Sequence, residues 1–203
     1  MILFLKDHLY DTLNYLRGGG IVMLPLVVSS LLMWAMIINR VLFLKALNQN
    51  DIIRDEAKQY VLENRFPDIT KYRGLRALFV FRFLELRCGK SSVDKYILDE
   101  TVMSMVSSLD KYLACIGILA AVSPLFGLLG TVIGMITTFD IISIFGTGNA
   151  RAMAGGISQA LITTQTGLLI AIPGFYMRNF LSGRVENLKR RIASTGIHLK
   201  RYV

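Results

Sequence analysis

The chain has 203 residues, of which 53% are hydrophobic and 18% charged, and its formal net charge is +9. It is too apolar for an ordinary water-soluble domain and too charged to lie wholly in lipid. A basic excess can mark a nucleic-acid binder, but here 13 of the 23 Lys and Arg fall in 40–111 and 7 in 178–203, which is segregation by segment.

Residues 1–17 place Ile2, Leu5, Leu9, Leu13 and Leu16 at helical spacing, with Lys6, Asp7, Asp11 and Asn14 between them. This pattern predicts an amphipathic helix lying in the outer interface. No basic stretch precedes its apolar residues and no small-residue cleavage site follows, so a cleavable signal is not expected. Gly18, Gly19 and Gly20 then break the helix and turn the chain into the membrane. The charge-free run 18–39 is long enough, at about 1.5 Å per residue, to cross a hydrocarbon core of roughly 30 Å. A first span is assigned to 18–44, with Arg40 and Lys45 as anchors at its far end. It reads as a lipid-facing brace, with Ser29 and Ser30 bonding back to carbonyls of their own helix.

Residues 45–110 read as soluble and helical. The stretch 51–64 has few breakers, Phe66-Pro67-Asp68 marks a corner, and Arg73-Gly74 marks another. From 74 to 87, Leu75, Leu78, Phe79, Phe83 and Leu86 alternate with Arg76, Arg82 and Arg87, and Cys88-Gly89-Lys90 ends that helix. Ser91-Ser92-Val93-Asp94 supplies an N-cap for a helix expected to run without interruption into the second span. The segment is short and shows no dense core pattern of its own, so projecting helices are expected in place of a separate globular domain.

Residues 112–177 carry only two charges, Asp140 and Arg151. They divide into charge-free runs at 112–139 and 152–177, assigned as spans 111–140 and 152–178 around an outer loop at 141–151. A basic tail, 179–203, follows. Three spans put 45–110 and the tail on one side, which the positive-inside tendency makes cytoplasmic, with the N-terminus outside. Arg178, Arg184, Lys189, Arg190 and Arg191 are then expected near anionic lipid. Cys88 and Cys115 do not suit a disulfide framework, and His8 and His198 fall at opposite ends of the chain, so no metal site is expected.

Both later runs hold Gly, Ser and Thr where a plain lipid anchor would carry Leu, Ile and Val. In SPLFGLLGTVIGM, 123–135, and the Thr137 and Thr138 that follow, Gly127, Thr131, Gly134 and Thr138 are spaced 4, 3 and 4 and share a helix face. In GISQALITTQTGLLIAIP, 156–173, Gly156, Ala160, Thr164, Gly167 and Ala171 form a second stripe beside Gln159 and Thr163. Such stripes on sequential antiparallel helices permit close backbone approach, here through Gly127, Gly130, Gly134, Gly156 and Gly167. A lone membrane Thr most often bonds its own helix carbonyl. Thr131, Thr163, Thr164, Thr166 and Gln159 together read as an uncharged lining for a partner's ionisable group or a passing ion. Neither run supplies a carboxylate to titrate, so if ions cross here that acid must come from elsewhere, most simply a partner chain. Pro124 and Pro173 are hinge candidates. No His, Cys, Asp or Glu constellation has catalytic spacing, so neither an enzyme nor a cofactor is expected.

These two stretches resemble the signature of the MotA/TolQ/ExbB proton-channel family, and GGGIVMLPLVVSSLLMWAMIINR at 18–40 is similar to its ExbB branch. The resemblance covers nearly the whole chain and is most specific across 120–175. It implies an all-α membrane protein of the bacterial inner membrane, with three transmembrane helices and long cytoplasmic helical extensions. It further implies a homopentamer whose central pore encloses a dimer of single-span ExbD- or TolR-like chains, with a TonB-like protein as a further partner and no nucleic acid. In the family pattern the partner's intramembrane Asp takes up and releases the proton, and ion flow drives work across the periplasm. The Thr of the GLxGTVxG run and the Thr of the third span face the pore; they fall on Thr131 and Thr164. Gln159 stands where the family often carries Glu, and a carboxamide hydrogen-bonds but does not shuttle a proton. The Thr163-Thr164 pair departs from the common Ala-Thr and is similar to sodium-driven flagellar stators. Sodium near Thr131, Thr163 and Thr164 is therefore the ionic alternative. A TolQ-like envelope-maintenance subunit is the functional alternative, and a non-conducting scaffold is the rival from another class.

Overall fold

In the computed structural model, which describes residues 10–12, 14–49, 51–68, 72 and 74–203, the chain is helical, with no strand among the described residues. Ile2, Leu5, Leu9, Leu13 and Arg73 lie outside that set. Residues 10–12 and 14–18 form α1. After a turn at Gly20–Val22 come α2 (Met23–Asn48), α3 (Arg54–Leu62), α4 (Leu75–Leu86), α5 (Ser91–Leu109), α6 (Leu113–Phe145) and α7 (Ala150–Leu199). Among the described residues, three stretches are long and apolar enough to cross a membrane: Gly20–Asn48, Ser91–Gly148 and Ala150–Leu199.

The breaks between helices have local causes. Gly20 takes a left-handed φ of +66°, and Gly146 does the same at +67° to end α6. The Asn149 carboxamide oxygen accepts from Ala152 N at 3.2 Å and caps α7. α6 and α7 run unbroken through Pro124 and Pro173.

The chain divides into two compact units, one of Met1–Met36 with Cys115–Arg178 and one of Ile37–Ala114 with Asn179–Val203. The first holds α1, the start of α2, nearly all of α6 and the first part of α7. Its helices present many exposed large apolar side chains, among them Leu128, Val132, Ile136, Leu161, Leu169 and Ile172. That outer surface is what lipid or protein neighbours in a bilayer require. The first span is packed on one face: Met33 is fully buried, and a side chain on Gly174 would stand 2.6 Å from its sulfur and 2.9 Å from Ala120 Cβ.

The second unit has a dense core of its own, contrary to the sequence expectation. Phe79, Phe83, Leu98, Leu109, Leu181 and Ile192 are essentially inaccessible to solvent. The pattern was hidden because α7 supplies its final wall, through Leu181, Val185, Leu188, Ile192 and Leu199, from about 70 to 120 positions downstream. Gly196 allows that wall to close, since a Cβ there would stand 2.6 Å from Val102 Cγ2.

Charged groups fasten this unit. Asp51 Oδ1 accepts from Arg76 N at 2.8 Å and so caps α4 from outside the helix. Asp94 is buried, pairs with Arg87 Nε at 3.1 Å, and accepts from the N–H groups of Cys88 and Gly89 at 2.9 and 3.2 Å. It therefore clasps the preceding turn and does not cap its own helix, as had been expected. Arg87 also donates to the carbonyl of Val61 at 2.8 Å.

Two further expectations are corrected. α5 does not continue into the second span: it stops at Leu109, and Tyr112 takes a φ of +69° before α6 begins. The cause is Arg40, which is buried and donates to the carbonyls of Ser108 and Leu109, taking the acceptors a continuing helix would use. Arg40 is thus a cap for α5, where a cytoplasmic anchor at the end of the span was expected. The basic tail is largely the packed end of α7, and several of its cations are engaged: Lys189 with Asp110 at 2.7 Å, Arg191 with Asn48 Oδ1 at 2.9 Å, and Arg190 with Glu186 at 3.7 Å.

Candidate functional site

Within the first unit, α6 and α7 meet along small residues. Ser123, Gly127, Gly130, Gly134 and Thr138 are buried on α6, and Gly156, Ala160, Thr163 and Gly167 on α7. A Cβ on Gly127 would stand 3.0 Å from the carbonyl oxygen of Thr163 and 3.2 Å from Thr164 Cα. One on Gly134 would stand 2.6 Å from the oxygen of Gly156, and one on Gly167 2.7 Å from that of Ser123. A Cβ on Gly130 would overlap the Thr163 hydroxyl, and one on Gly156 would overlap that of Thr138. All five glycines singled out by sequence therefore lie on this seam, where backbone meets backbone.

The hydroxyls sort into two kinds. Thr163, Thr138 and Ser123 are buried in the seam and donate to carbonyls of their own helix: Thr163 to Ala160 at 2.9 Å and Gln159 at 3.1 Å, Thr138 to Gly134 at 2.9 Å, and Ser123 to Leu119 at 2.8 Å. Thr131 and Thr164 stand beside the seam and are only half-buried. Thr131 Oγ1 donates to the carbonyl of Leu128 at 2.6 Å. Thr164 Oγ1 lies 3.2 Å from the carbonyl of Ala160 and 3.4 Å from that of Gly127 across the helix pair. Both hydroxyls thus gather at the Gly127–Leu128 turn of α6. Each has its proton engaged and keeps oxygen lone pairs as acceptors. Such a pair suits a protonated carboxyl or a cation. On rotating away from its weak carbonyl contact, Thr164 can also donate to a carboxylate.

Gln159 lies further along the same helix, with its carboxamide against Gly20, where any Cβ would overlap it. The glycine corner and Gln159 are therefore matched in shape. Thr166 faces a group that the sequence reading passed over. Its hydroxyl donates to Ile162 O at 2.8 Å, so the Tyr15 hydroxyl, 2.9 Å away, donates to Thr166. Gly18 and Gly19 pack on Ile162 between these contacts. α1 therefore runs beside α7 from Gln159 to Thr166. The signal was Tyr15 itself, an apolar ring with a polar tip next to Leu16. Asp140 is exposed near the C-terminal end of α6, and among the described residues no cluster of His, Cys, Asp and Glu is suited to a metal.

The architecture and the site define a helical membrane protein in which two helices pack through glycine along charge-free runs and present threonine hydroxyls beside the seam. The pattern of the MotA/TolQ/ExbB proton channel family matches residues 72–194, and the chain belongs to that family. It is 33% identical over 196 residues to the ExbB-like 3 protein of Synechocystis sp., a name that assigns biopolymer transport, covering 86% of this chain and 93% of that one. It is 35% identical over 110 residues to the biopolymer transport protein ExbB of Aquifex aeolicus, covering 54% and 71%. With the Tol-Pal system protein TolQ of Haemophilus influenzae it shares 29% over 195 residues, covering 87% and 86%. The similarity is strongest toward the ExbB branch.

Proposed function

We propose that this chain is an ExbB-like proton-channel subunit of a biopolymer-transport complex in the bacterial inner membrane. It couples proton flow, through an ExbD- or TolR-like single-span chain, to work on a periplasmic or outer-membrane partner. The observation that carries the reading is the pair of half-buried hydroxyls, Thr131 and Thr164, in the charge-free runs 112–139 of α6 and 152–177 of α7, neither of which holds a carboxylate.

Five copies surround a dimer of the partner, with α6 and α7 lining the pore. When the partner's Asp is protonated, its O–H donates to a threonine oxygen; when ionised, it accepts from Thr164, whose proton leaves the carbonyls of Ala160 and Gly127. The threonines thus stabilise both states of an acid that would otherwise be stranded in apolar surroundings. The N-terminus is periplasmic and the C-terminus cytoplasmic. α7 supports this placement: at about 1.5 Å per residue its length is more than twice the hydrocarbon core, and its charged half must leave the membrane. Proton is preferred to sodium because Thr163, half of the pair that suggests sodium, is fully buried with its hydroxyl on its own helix carbonyls.

The test is proton flux into liposomes holding the chain with its single-span partner. Thr164→Val and Thr131→Val keep the shape and remove the hydroxyl, and each is expected to lower flux about tenfold or more, the loss of a hydrogen bond to a charged group. Unchanged flux in both would establish the scaffold instead. Replacing sodium by choline is expected to leave flux intact, and loss of flux would assign sodium.

A further inference from the structure

The second unit contains a groove of about 930 Å³ between the C-terminal part of α2 and the last part of α7. Its floor is apolar, formed by Val41, Leu44, Leu181 and Leu188, and its rim carries Lys45, Arg184 and Arg191, with Asn48 and Gln49 beyond. Among the described residues, no acid lines it. We propose that this groove binds one anionic phospholipid, with the phosphate on Lys45, Arg184 and Arg191 and the first part of an acyl chain along the leucine floor.

Three observations select this occupant. The first is charge. The acids nearest in sequence are engaged elsewhere: Glu186 pairs with Arg190, and Asp51 accepts from Arg76 N. Lys45 and Arg184 form no ion pair among the described residues, and Arg191 donates only to the neutral Asn48. Of the α7 cations beyond Met177, Arg178, Arg184 and Arg191 form no ion pair among the described residues, and Arg184 and Arg191 face the groove together with Lys45 of α2. Arg184 is also held in place, its guanidinium stacked 5.0 Å from the Phe180 ring centre.

The second is depth along the helices. The charge-free part of α2 ends at Asn39 and that of α7 at Met177, and the groove begins two to three residues later. A headgroup layer is roughly 5–8 Å thick, or about four to five helical residues. Lys45 and Arg184 stand six and seven residues past those ends, about 9–10 Å and just beyond that layer, from where their long side chains reach back to a phosphate. The third is the mixed lining, with Val41, Leu44 and Leu181 on the membrane side of Lys45 and Arg184, which suits an amphiphile better than a free anion.

The inference rests on α2 and α7 being spans and is independent of ion conduction. A complex that binds lipid but conducts nothing would overturn the proposed function alone.

The experiment is native mass spectrometry of the full-length chain in detergent, titrated with phosphatidylglycerol and with phosphatidylcholine of the same acyl chains. Phosphatidylglycerol is expected to bind at least tenfold tighter. Lys45→Gln with Arg184→Gln should weaken it about 25-fold, about fivefold per cation, to near the phosphatidylcholine level. Arg190→Gln, which removes the same charge outside the groove, should change it less than about twofold. Equal losses in the Arg190 variant, or none in the double variant, would overturn the site. A second measurement needs no variant: phosphatidylglycerol with a photoreactive acyl chain should label the wild type near Leu44, Leu181 or Leu188. Labelling confined elsewhere, or cross-links showing the groove filled by a second copy, would overturn it as well.

Discussion

The substitution Gly134→Ala tests the seam between α6 and α7 directly. The added methyl would stand 2.6 Å from the carbonyl oxygen of Gly156 and 2.9 Å from both Cβ and N of Ala160. Carbon and carbonyl oxygen settle at about 3.3 Å or more, so the helices must part by roughly 0.5–1 Å. The obstacle is backbone, which cannot rotate aside as a side chain would. Overpacking of this kind costs about 1–3 kcal/mol, while Ala in place of Gly in a helix returns up to about 1 kcal/mol. The net expectation is a loss of about 1–2 kcal/mol. Gly155→Ala is the matched control. It lies in α7, has nothing within 4 Å of its Cβ position, and should gain helix propensity with no clash. Thermal denaturation in detergent, at about 2–4 °C per kcal/mol for a chain of this size, should separate the two by about 4–10 °C, with Gly134→Ala the lower. Equal melting, or the reverse order, would refute the close approach of the two helices.

Three further outcomes follow from the geometry. Thr163→Val should leave most of the proton flux in place, in contrast to Thr164→Val, because the Thr163 hydroxyl is sealed in the seam on its own helix; comparable losses in liposome flux would contradict that division. Arg40→Met should destabilise the second unit by about 1–3 kcal/mol, since it strands the carbonyls of Ser108 and Leu109. Limited proteolysis should then cut faster at 109–113, and unchanged protection would remove Arg40 as the cap. Burial pushes the Asp51 carboxyl above its ordinary value of 3.8, against the opposing hydrogen bond from Arg76. Its contribution to stability is therefore full below that value and is lost as pH rises through the raised one. Asp51→Asn keeps an acceptor for Arg76 N, so wild type should lose stability relative to this variant between about pH 4 and neutrality. Denaturant melts that show wild type gaining over that window would give the opposite sign.

Much of this protein was legible without coordinates. Charge-free runs of sufficient length mark the spans, because no charged side chain is left cheaply in hydrocarbon. The five seam glycines were visible as well, because small residues at helical spacing only make sense where another backbone comes near. The face beside the seam was less certain from spacing. Thr131 and Thr164 were grouped with Thr163, yet a rotation of about 100° per residue puts Thr163 inside the pair and Thr164 at its edge. Tyr15 gave no periodic signal, because its partner Thr166 is 151 positions away.

The sequence by itself determined what must leave water and where two helices must touch, since both follow from the side chains of a single segment. Only the tertiary structure decided which polar groups are used up inside the subunit. Arg40 and Arg191 looked alike as basic residues, yet one is buried on two carbonyls and the other is exposed at the edge of a groove. The physical reason is that a charged group's role depends on the acceptors that reach it, and here those come from helices far apart along the chain.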